Sequence, residues 1–298
     1  MQQREVVGWI ESPRWIDTAA ESIQQAVRRI FDALGTARGG WKNALHGTWL
    51  GHPLHPVLTD VPLGAWTATV VLDAIDEANP SPGVALASDV TVAVGLVGAA
   101  GAAVTGTTDW LETDARPRRI GLAHAALNAG ATLLFAGSLV MRVHGNRAAG
   151  CALAATGYLV SAAAAYLGGE LVFREQIGVD HTAGLPLPDE FVPVLDERDL
   201  GEGRLERVRY QDTPILLARH GGRISALVER CAHLGGPLAE GKIEGDAVVC
   251  PWHASQFQLD TGDVVDGPSV FSQPRLEVRT RDGRIEVRRA RPAALQAH

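Results

Sequence analysis

The chain has 298 residues, which is enough for two domains of ordinary size. Its formal net charge of −7 argues against a nucleic acid as a partner, because nothing in it would neutralise phosphates in bulk. It has three cysteines, so no disulfide framework remains if two of them bind a metal. The first 20 residues carry charges and lack the apolar run of a signal peptide.

The first predicted element is an amphipathic helix in an N-terminal segment, 1–47. Apolar side chains within residues 21–35 recur at helical spacing on one face. This pattern is typical of a helix lying on a membrane surface, here the cytoplasmic one, although packing against a soluble domain would give the same pattern. The apolar positions are Ile23, Val27, Ile30, Phe31 and Leu34.

Four apolar segments of roughly 20 residues follow, which is the length that a helix needs to cross a hydrocarbon core of ~30 Å. They cover 57–76, 86–108, 120–141 and 149–168. Asp60 and Asp73 interrupt the first segment, and a packed bundle tolerates such groups better than a lone helix. The sequence predicts an all-α, four-helix transmembrane domain over 48–175, with buried helices of a large soluble domain as the alternative.

The distribution of lysine and arginine predicts the orientation of this domain. Positive charges are frequent before the first span and between the second and third spans, and are absent between the first and second. Both termini, and the C-terminal domain with them, are therefore expected on the cytoplasmic side of a bacterial inner membrane. Arg142 and Arg147, near the loop after the third span, do not fit this pattern.

Six polar residues of the membrane domain are predicted to lie at one depth, near the cytoplasmic boundary. Ionisable groups inside a membrane are costly and are by default functional candidates. Histidines from two helices could ligate a haem iron, bind a quinone head group or relay protons. The plainer alternative is a structural cluster of helix caps, in which Asp60 bonds to His124 or to a backbone amide. The six residues are His52, His55, Asp60, Asp109, His124 and Asn128.

This half of the chain resembles an uncharacterised bacterial family of four-helix membrane proteins. The resemblance covers about residues 48–180 and depends on the G-H-P-x-H-P motif that begins at Gly51, the D-x-P-x-G motif at Asp60, and Asp109-Trp110 at the end of the second span. It supports the topology and implies no chemistry.

After a predicted linker, 176–190, with glycine and proline, the pattern changes to short strands. The segments ERVRY, PILLARH, ISALVE, AVVC and LEVRTRDGRIEVRR alternate or cluster their apolar residues. In the last of these, Asp282-Gly283 separates two alternating runs, which is a strong hairpin signal. The sequence predicts an all-β domain over 191–290, followed by a tail, 291–298.

Two short motifs of this domain carry its chemistry. The first is C-x-H, at Cys231 and His233, and sixteen residues separate it from the second, C-x-x-H, at Cys250 and His253. Two thiolates and two imidazoles are the ligands of a Rieske [2Fe–2S] centre. A structural zinc site of two cysteines and two histidines is the competing possibility.

The domain resembles Rieske ferredoxins over its whole length. The resemblance implies that Cys231 and Cys250 hold one iron, and that His233 and His253 hold the other, at the exposed tip from which electrons leave. Surrounding residues are expected to support the cluster without binding it. These are Gly235, Gly236, Trp252, Ser255, Phe257 and Pro268.

The chain departs from Rieske proteins of quinol-oxidising complexes in two ways. Those proteins have an extra cysteine in each motif, which form a disulfide, and the corresponding neighbourhoods here offer Gly236 and Trp252. They also have a tyrosine where this chain has Phe257, so one donor to the cluster sulfurs is missing. Because donors to sulfur raise the potential, we predict a value in the lower part of the range of roughly −150 to +300 mV.

Three functions fit these features. The first is a membrane-tethered carrier of single electrons, which would exchange them with a haem or quinone in the membrane domain or with an unidentified redox protein. The second is an oxygenase, which needs a further iron site in a large C-terminal domain. Too few residues follow Cys250 for such a domain. No catalytic residue is predicted. The third is a regulatory module whose cluster controls the membrane unit. The acidic stretch 240–266 would either steer a basic redox partner or form a solvated face.

Overall fold

The structure is a computed structural model that describes residues 14–33 and 40–290. These residues form two units, one helical and one built of β-strands. The described part of the helical unit contains six helices: α1 Arg14–Ala33, α2 Gly40–His46, α3 Leu54–Ala78, α4 Pro82–Trp110, α5 Ala115–Val143 and α6 Arg147–Phe173.

Helices α3 to α6 are long and apolar enough to cross a membrane, which confirms the four predicted spans. Each helix is a few residues longer than the apolar segment that predicted it. Only 17–28% of the most apolar stretch of each helix is buried within the protein. Large apolar side chains such as Val97 and Leu133 are instead about three-quarters exposed, 76% and 73%. A large soluble domain would bury them, so this pattern favours a lipid environment.

Small residues let these helices approach closely. Gly95 lies against the indole of Trp66, and a Cβ at that position would be 2.1 Å from the indole nitrogen. Gly157 lies in the same way against the ring of Phe135. The two aromatic rings stack on each other in the bundle core, with centroids 4.1 Å apart and planes at 7°. Lipid tails are as apolar as the side chains, so the hydrophobic effect does not drive helices together in a membrane. Close packing of this kind contributes to their association instead.

Helix α1 begins earlier than predicted and packs against the loop between α4 and α5. Its buried face contains Ile16, Ala20 and Gln24. The Gln24 amide donates to the carbonyl oxygens of Trp110 and Thr113 at 2.9 and 3.0 Å. Two residues of the apolar face that the sequence predicts, Ile23 and Ile30, are exposed. A third, Leu34, lies outside the described residues.

The strand unit consists of two antiparallel sheets. Its strands are β1 Val192–Asp196, β2 Leu205–Tyr210, β3 Thr213–His220, β4 Arg223–Val228, β5 Lys242–Glu244, β6 Ala247–Val249, β7 Gln256–Gln258, β8 Val264–Asp266, β9 Arg275–Arg281 and β10 Arg284–Arg289. The larger sheet has the order β1-β10-β9-β4-β3-β2, and the smaller has the order β5-β6-β7-β8. This confirms the predicted all-β class.

The predicted hairpin joins β9 to β10. Asp282 and Gly283 both have positive φ, 51° and 75°, as a two-residue turn matched to the twist of its strands requires. The predicted tail, 291–298, lies outside the described residues.

The segment predicted as a linker makes contacts with the strand unit from residue 178 onward. The backbone N–H of His181 donates to the carbonyl of Ala232, next to Cys231, at 3.1 Å. Leu185 and Leu187 pack against the core of the larger sheet.

Candidate metal centre

The two cysteine–histidine motifs fold into turns of the same shape. In the first, the N–H of Cys231 donates to the carbonyl of Gly236, and the N–H of Gly235 donates to the carbonyl of Cys231, both at 2.8 Å. In the second, Cys250 N–H donates to Ser255 at 2.8 Å, and Ala254 N–H donates to Cys250 at 3.1 Å. Each cysteine thus closes a turn with the fourth and fifth residues after it.

Gly235 and Ala254 occupy the same position in these two turns, and both have positive φ, 77° and 60°. Glycine adopts this conformation without penalty, whereas alanine is strained in it. The second turn therefore stores backbone strain that the first turn avoids.

The two turns bring the cysteine sulfurs together in the core of the domain. Cys231 and Cys250 are 1% and 3% exposed, and their thiols are hydrogen-bonded to each other. This hydrogen bond is the main reason why the pKa of the Cys231 thiol is raised, and burial raises it further. The same bond lowers the pKa of the Cys250 thiol to about 7. Backbone N–H groups at equivalent positions point at the two sulfurs: those of His233 and Leu234 at Cys231, and those of Trp252 and His253 at Cys250.

The two imidazoles lie beside each other and are both partly exposed. The ring centroids of His233 and His253 are 5.1 Å apart, and the ring planes are nearly perpendicular at 88°. Trp252 covers Gly236, and its indole is 57% exposed. A Cβ on Gly236 would lie 2.8 Å from the sulfur of Cys250, so only glycine leaves room at this point.

A buried pair of thiols and a partly exposed pair of imidazoles fit a two-iron cluster, which takes two protein ligands on each iron. A single zinc ion would need all four side chains around one point. Within residues 14–33 and 40–290, no group of three or more His, Cys, Asp or Glu side chains is arranged to hold one metal ion.

The predicted supporting residues lie around these turns. Ser255 is buried, and its hydroxyl oxygen accepts the N–H of Ser269 at 3.0 Å. Phe257 is fully buried in the same core cluster as both cysteines. Pro268 is buried and follows a cis peptide bond after Gly267.

Gln273, which the sequence analysis missed, anchors the first turn. Its side-chain oxygen accepts the N–H of Ala232 at 2.9 Å. Its amide nitrogen donates to the carbonyls of Val228 and Arg230, both at 2.6 Å. Gln273 comes 42 residues after Cys231 and belongs to no recognisable motif, so no sequence signal identified it.

A buried carboxylate near the first turn was missed as well. Glu229 is 4% exposed and accepts from Arg207 Nε at 2.9 Å and Nη2 at 2.7 Å. Glu229 and Glu240 together raise the pKa of Arg207. This ion pair fixes the end of β4, from which the chain enters the Cys231 turn.

In the helical unit, three of the six predicted polar residues come together. His55 and His124 have ring centroids 6.4 Å apart. The amide of Asn128 donates to Nε2 of His124 at 3.1 Å. Asp60 and His52 are exposed.

Asp109 is joined to a residue that was not among the candidates. Its carboxylate accepts from Nδ1 of His46 at 2.8 Å, and His46 is 2% exposed. His46 is the last residue of α2.

Both halves of the chain match known families. Residues 190–277 match the Rieske [2Fe-2S] domain, and residues 51–181 match a predicted membrane protein family, DUF2231.

Curated relatives match the strand unit. Ferredoxin CarAc of Metapseudomonas resinovorans is 30% identical over 90 residues, covering 30% of this chain and 84% of the ferredoxin. The 3-phenylpropionate/cinnamic acid dioxygenase ferredoxin subunit of Escherichia coli K12 is 35% identical over 89 residues, covering 29% of this chain and 82% of the subunit. Human apoptosis-inducing factor 3 is 29% identical over 120 residues, covering 40% of this chain and only 20% of that protein.

Among solved structures, a complex of reduced oxygenase and oxidized ferredoxin in carbazole 1,9a-dioxygenase matches with 27% identity and a TM-score of 0.32. The match covers 33% of this chain and 92% of the other.

Proposed function

The chain belongs to the Rieske [2Fe–2S] family through its C-terminal domain and is an iron–sulfur electron carrier, and we propose that it works as a membrane-anchored carrier of single electrons. The observation that carries this proposal is the pair of equivalent turns that gathers two buried thiols and two partly exposed imidazoles. We propose Cys231 and Cys250 as ligands of one iron, and His233 and His253 as ligands of the other.

The bound cluster would accept and release one electron at a time. The described residues bury the two thiols that would hold one iron in the core and leave the two imidazoles that would hold the other partly exposed. Backbone N–H groups that point at both cysteine sulfurs would stabilise their negative charge. His233 and His253 are therefore the proposed point of electron entry and exit.

We propose that the helical unit anchors the carrier in a bacterial inner membrane, with the strand unit on the cytoplasmic side. Arg142 and Arg147, the charges that did not fit this orientation, form ion pairs with aspartates of α3 and α4. Because aspartates in the bundle compensate their charge, these two arginines count less toward the predicted membrane orientation than unpaired arginines would.

The redox partner is proposed to be a protein that contacts the imidazole tip, or a haem or quinone in the helical unit. The name of the Escherichia coli relative associates it with a dioxygenase, so an oxygenase or its reductase is the class of protein partner to test first. The acidic stretch offers less charge for steering than its composition suggests. Glu240 pairs with Arg207 at 3.0 Å and Asp260 with Arg223 at 3.1 Å.

The full chain purified in detergent tests the cluster directly. We expect the EPR signal of a reduced Rieske [2Fe–2S] centre, and its loss in Cys231→Ser and Cys250→Ser. Cys151→Ser is the matched control, because that cysteine lies in α6, and it should keep the signal. One zinc per chain in place of two irons would contradict the proposal.

Single-electron transfer is tested separately. Reduced protein should pass one electron per cluster to a one-electron dye, and His253→Cys, which changes the ligand but can still bind iron, should shift the midpoint potential. A cluster that binds normally but exchanges no electrons would favour a regulatory role instead.

A further inference from the structure

The helical unit contains an internal repeat. His124 follows His55 by 69 residues, and the same spacing separates Phe135 from Trp66 and Arg142 from Asp73. The buried faces of α3 and α5 also correspond at this spacing. They contain Pro62, Trp66, Thr69 and Asp73 in α3, and Ala131, Phe135, Ser138 and Arg142 in α5.

The second helix of each pair repeats as well, with a spacing of 62 residues. Ala164 of α6 corresponds to Ala102 of α4, and Gly168 to Gly106. Val92 and Gly95, which are buried in α4, likewise correspond to Ala154 and Gly157, which are buried in α6. Helices α3 to α6 are therefore two copies of one helical hairpin, α3–α4 and α5–α6.

Equivalent residues make equivalent contacts in the two hairpins. Nδ1 of His55 bonds to the carbonyl of Ala102 at 2.9 Å, and Nδ1 of His124 bonds to that of Ala164 at 2.8 Å. Gly106 lies against the ring of His55, and Gly168 lies against the ring of His124. These contacts define a pseudo-twofold relation between the hairpins.

Three residue pairs meet across the pseudo-twofold axis. They are His55 with His124, the stacked Trp66 with Phe135, and Asp73 with Arg142. Eighteen residues of helix separate the first pair from the last, or about 27 Å, which is close to the thickness of the hydrocarbon core. The histidine pair therefore lies near one face of the membrane and the ion pair near the other.

The hydrogen bonds determine which nitrogen of each imidazole carries the proton. A carbonyl oxygen only accepts, so Nδ1 is the protonated nitrogen in both rings. Nε2 of each neutral imidazole is then unprotonated and carries a lone pair, which in His124 accepts the amide of Asn128. Metal-binding histidines are typically fixed in this way, by donation of the other N–H to a backbone carbonyl.

We propose that this axis holds one haem, with Nε2 of His55 and Nε2 of His124 as the two axial ligands of its iron. Two imidazoles on opposite sides of one ion, with metal–nitrogen distances of about 2 Å, have ring centres ~6 Å apart, and the observed separation is 6.4 Å. Ligation requires the amide of Asn128 to leave Nε2 of His124.

The donor arrangement favours haem over two other occupants. A bare metal ion takes four or more ligands, whereas haem supplies four nitrogens of its own and needs only axial ligands from the protein. A quinone needs donors to its carbonyl oxygens, and neutral imidazoles with the proton on Nδ1 offer none through Nε2. The inference deepens the proposed function, because it names the second redox centre of the same carrier.

The test is titration of the detergent-purified full chain with hemin, followed by its Soret absorption. We expect one haem per chain, with the spectrum of a six-coordinate, low-spin iron. His55→Ala and His124→Ala should each weaken hemin binding at least tenfold. His144→Ala, which removes an exposed histidine at the end of α5, is the matched control and should bind as the unaltered chain does.

His124→Met keeps a group that can ligate iron, so a shifted but persistent Soret band would support axial ligation even if the alanine variants fold poorly. Equal hemin affinity in the unaltered chain and both alanine variants overturns the proposal, as does a tightly held quinone without a Soret band. The EPR signal of the [2Fe–2S] cluster is recorded on the same samples. Its presence without haem binding would overturn this inference and leave the proposed function intact.

Discussion

Arg142 lies beneath the bundle surface with its side chain 1% exposed, and its guanidinium donates to the carboxylate of Asp73 at 2.9 Å. The same guanidinium reaches Asp89 and the hydroxyl of Ser88, each at 3.0 Å. This network joins α3, α4 and α5, and Arg147 of α6 extends it to all four spans.

The burial of Arg142 predicts a large effect of its removal. Arg142→Gln leaves the buried Asp73 with only the more distant Arg147, at 3.5 Å, as a charge partner, which costs up to about 3–5 kcal/mol of stability. Arg147→Gln is the matched control, because the Arg147 side chain is 30% exposed and its loss should cost less. Thermal unfolding of both variants in the same detergent measures the difference, and equal midpoints would contradict the network.

Gly236 is predicted to be essential for cluster assembly. Gly236→Ala places a methyl group 2.8 Å from the sulfur of Cys250 and against the indole of Trp252. We expect little or no cluster, as iron content and EPR would report. Gly235→Ala is the control, since its Cβ would meet nothing nearer than 3.7 Å. It should keep the cluster and lose about 1 kcal/mol through its positive φ.

Ala254→Gly should stabilise the second turn. Glycine removes the strain of the positive φ at this position, although it also gives the unfolded chain more freedom, so a gain of up to about 1 kcal/mol is expected. Ala254→Val should be destabilising, because a β-branched residue tolerates this conformation poorly. Denaturant unfolding of the cluster-loaded protein compares the variants, and a destabilising glycine would refute the strain.

Gln273→Glu should release the first ligand turn. The carboxylate can still accept the N–H of Ala232, but it cannot donate to the carbonyls of Val228 and Arg230. Leaving buried carbonyls unpaired costs about 1–3 kcal/mol. The rate of cluster loss at rising temperature should increase, whereas Gln211→Glu at an exposed turn should leave it unchanged.

Phe257→Tyr should raise the reduction potential of the cluster. If its hydroxyl donates to a cluster sulfur, a hydrogen bond of about 0.5–1.5 kcal/mol corresponds to a rise of roughly 20–65 mV for one electron. Potentiometric titration followed by EPR measures the change. Phe191→Tyr, next to the guanidinium groups of Arg279 and Arg288, is the control and should leave the potential unchanged. An unaltered chain near the top of the Rieske range would contradict the predicted low potential.

Local features of the sequence predicted the architecture. The four spans could be predicted because a helix that crosses a membrane needs a long apolar segment. The length and composition of each segment can be read directly from the sequence. The two ligand turns were also predictable, because each cysteine and its histidine are separated by only one or two residues. The hairpin at Asp282-Gly283 followed from two residues that adopt positive φ readily.

The tertiary structure alone decided which distant side chains meet. Asp109 faces His46, Arg142 faces Asp73, and Gln273 reaches the Cys231 turn from 42 residues away. Such pairs depend on how each helix is rotated about its axis and on which sheet edges adjoin, and a spacing in the sequence specifies neither. The repeat in the helical unit became visible for the same reason. Its two copies share few residue types, and their equivalence lies in the faces that they bury and the contacts that they make.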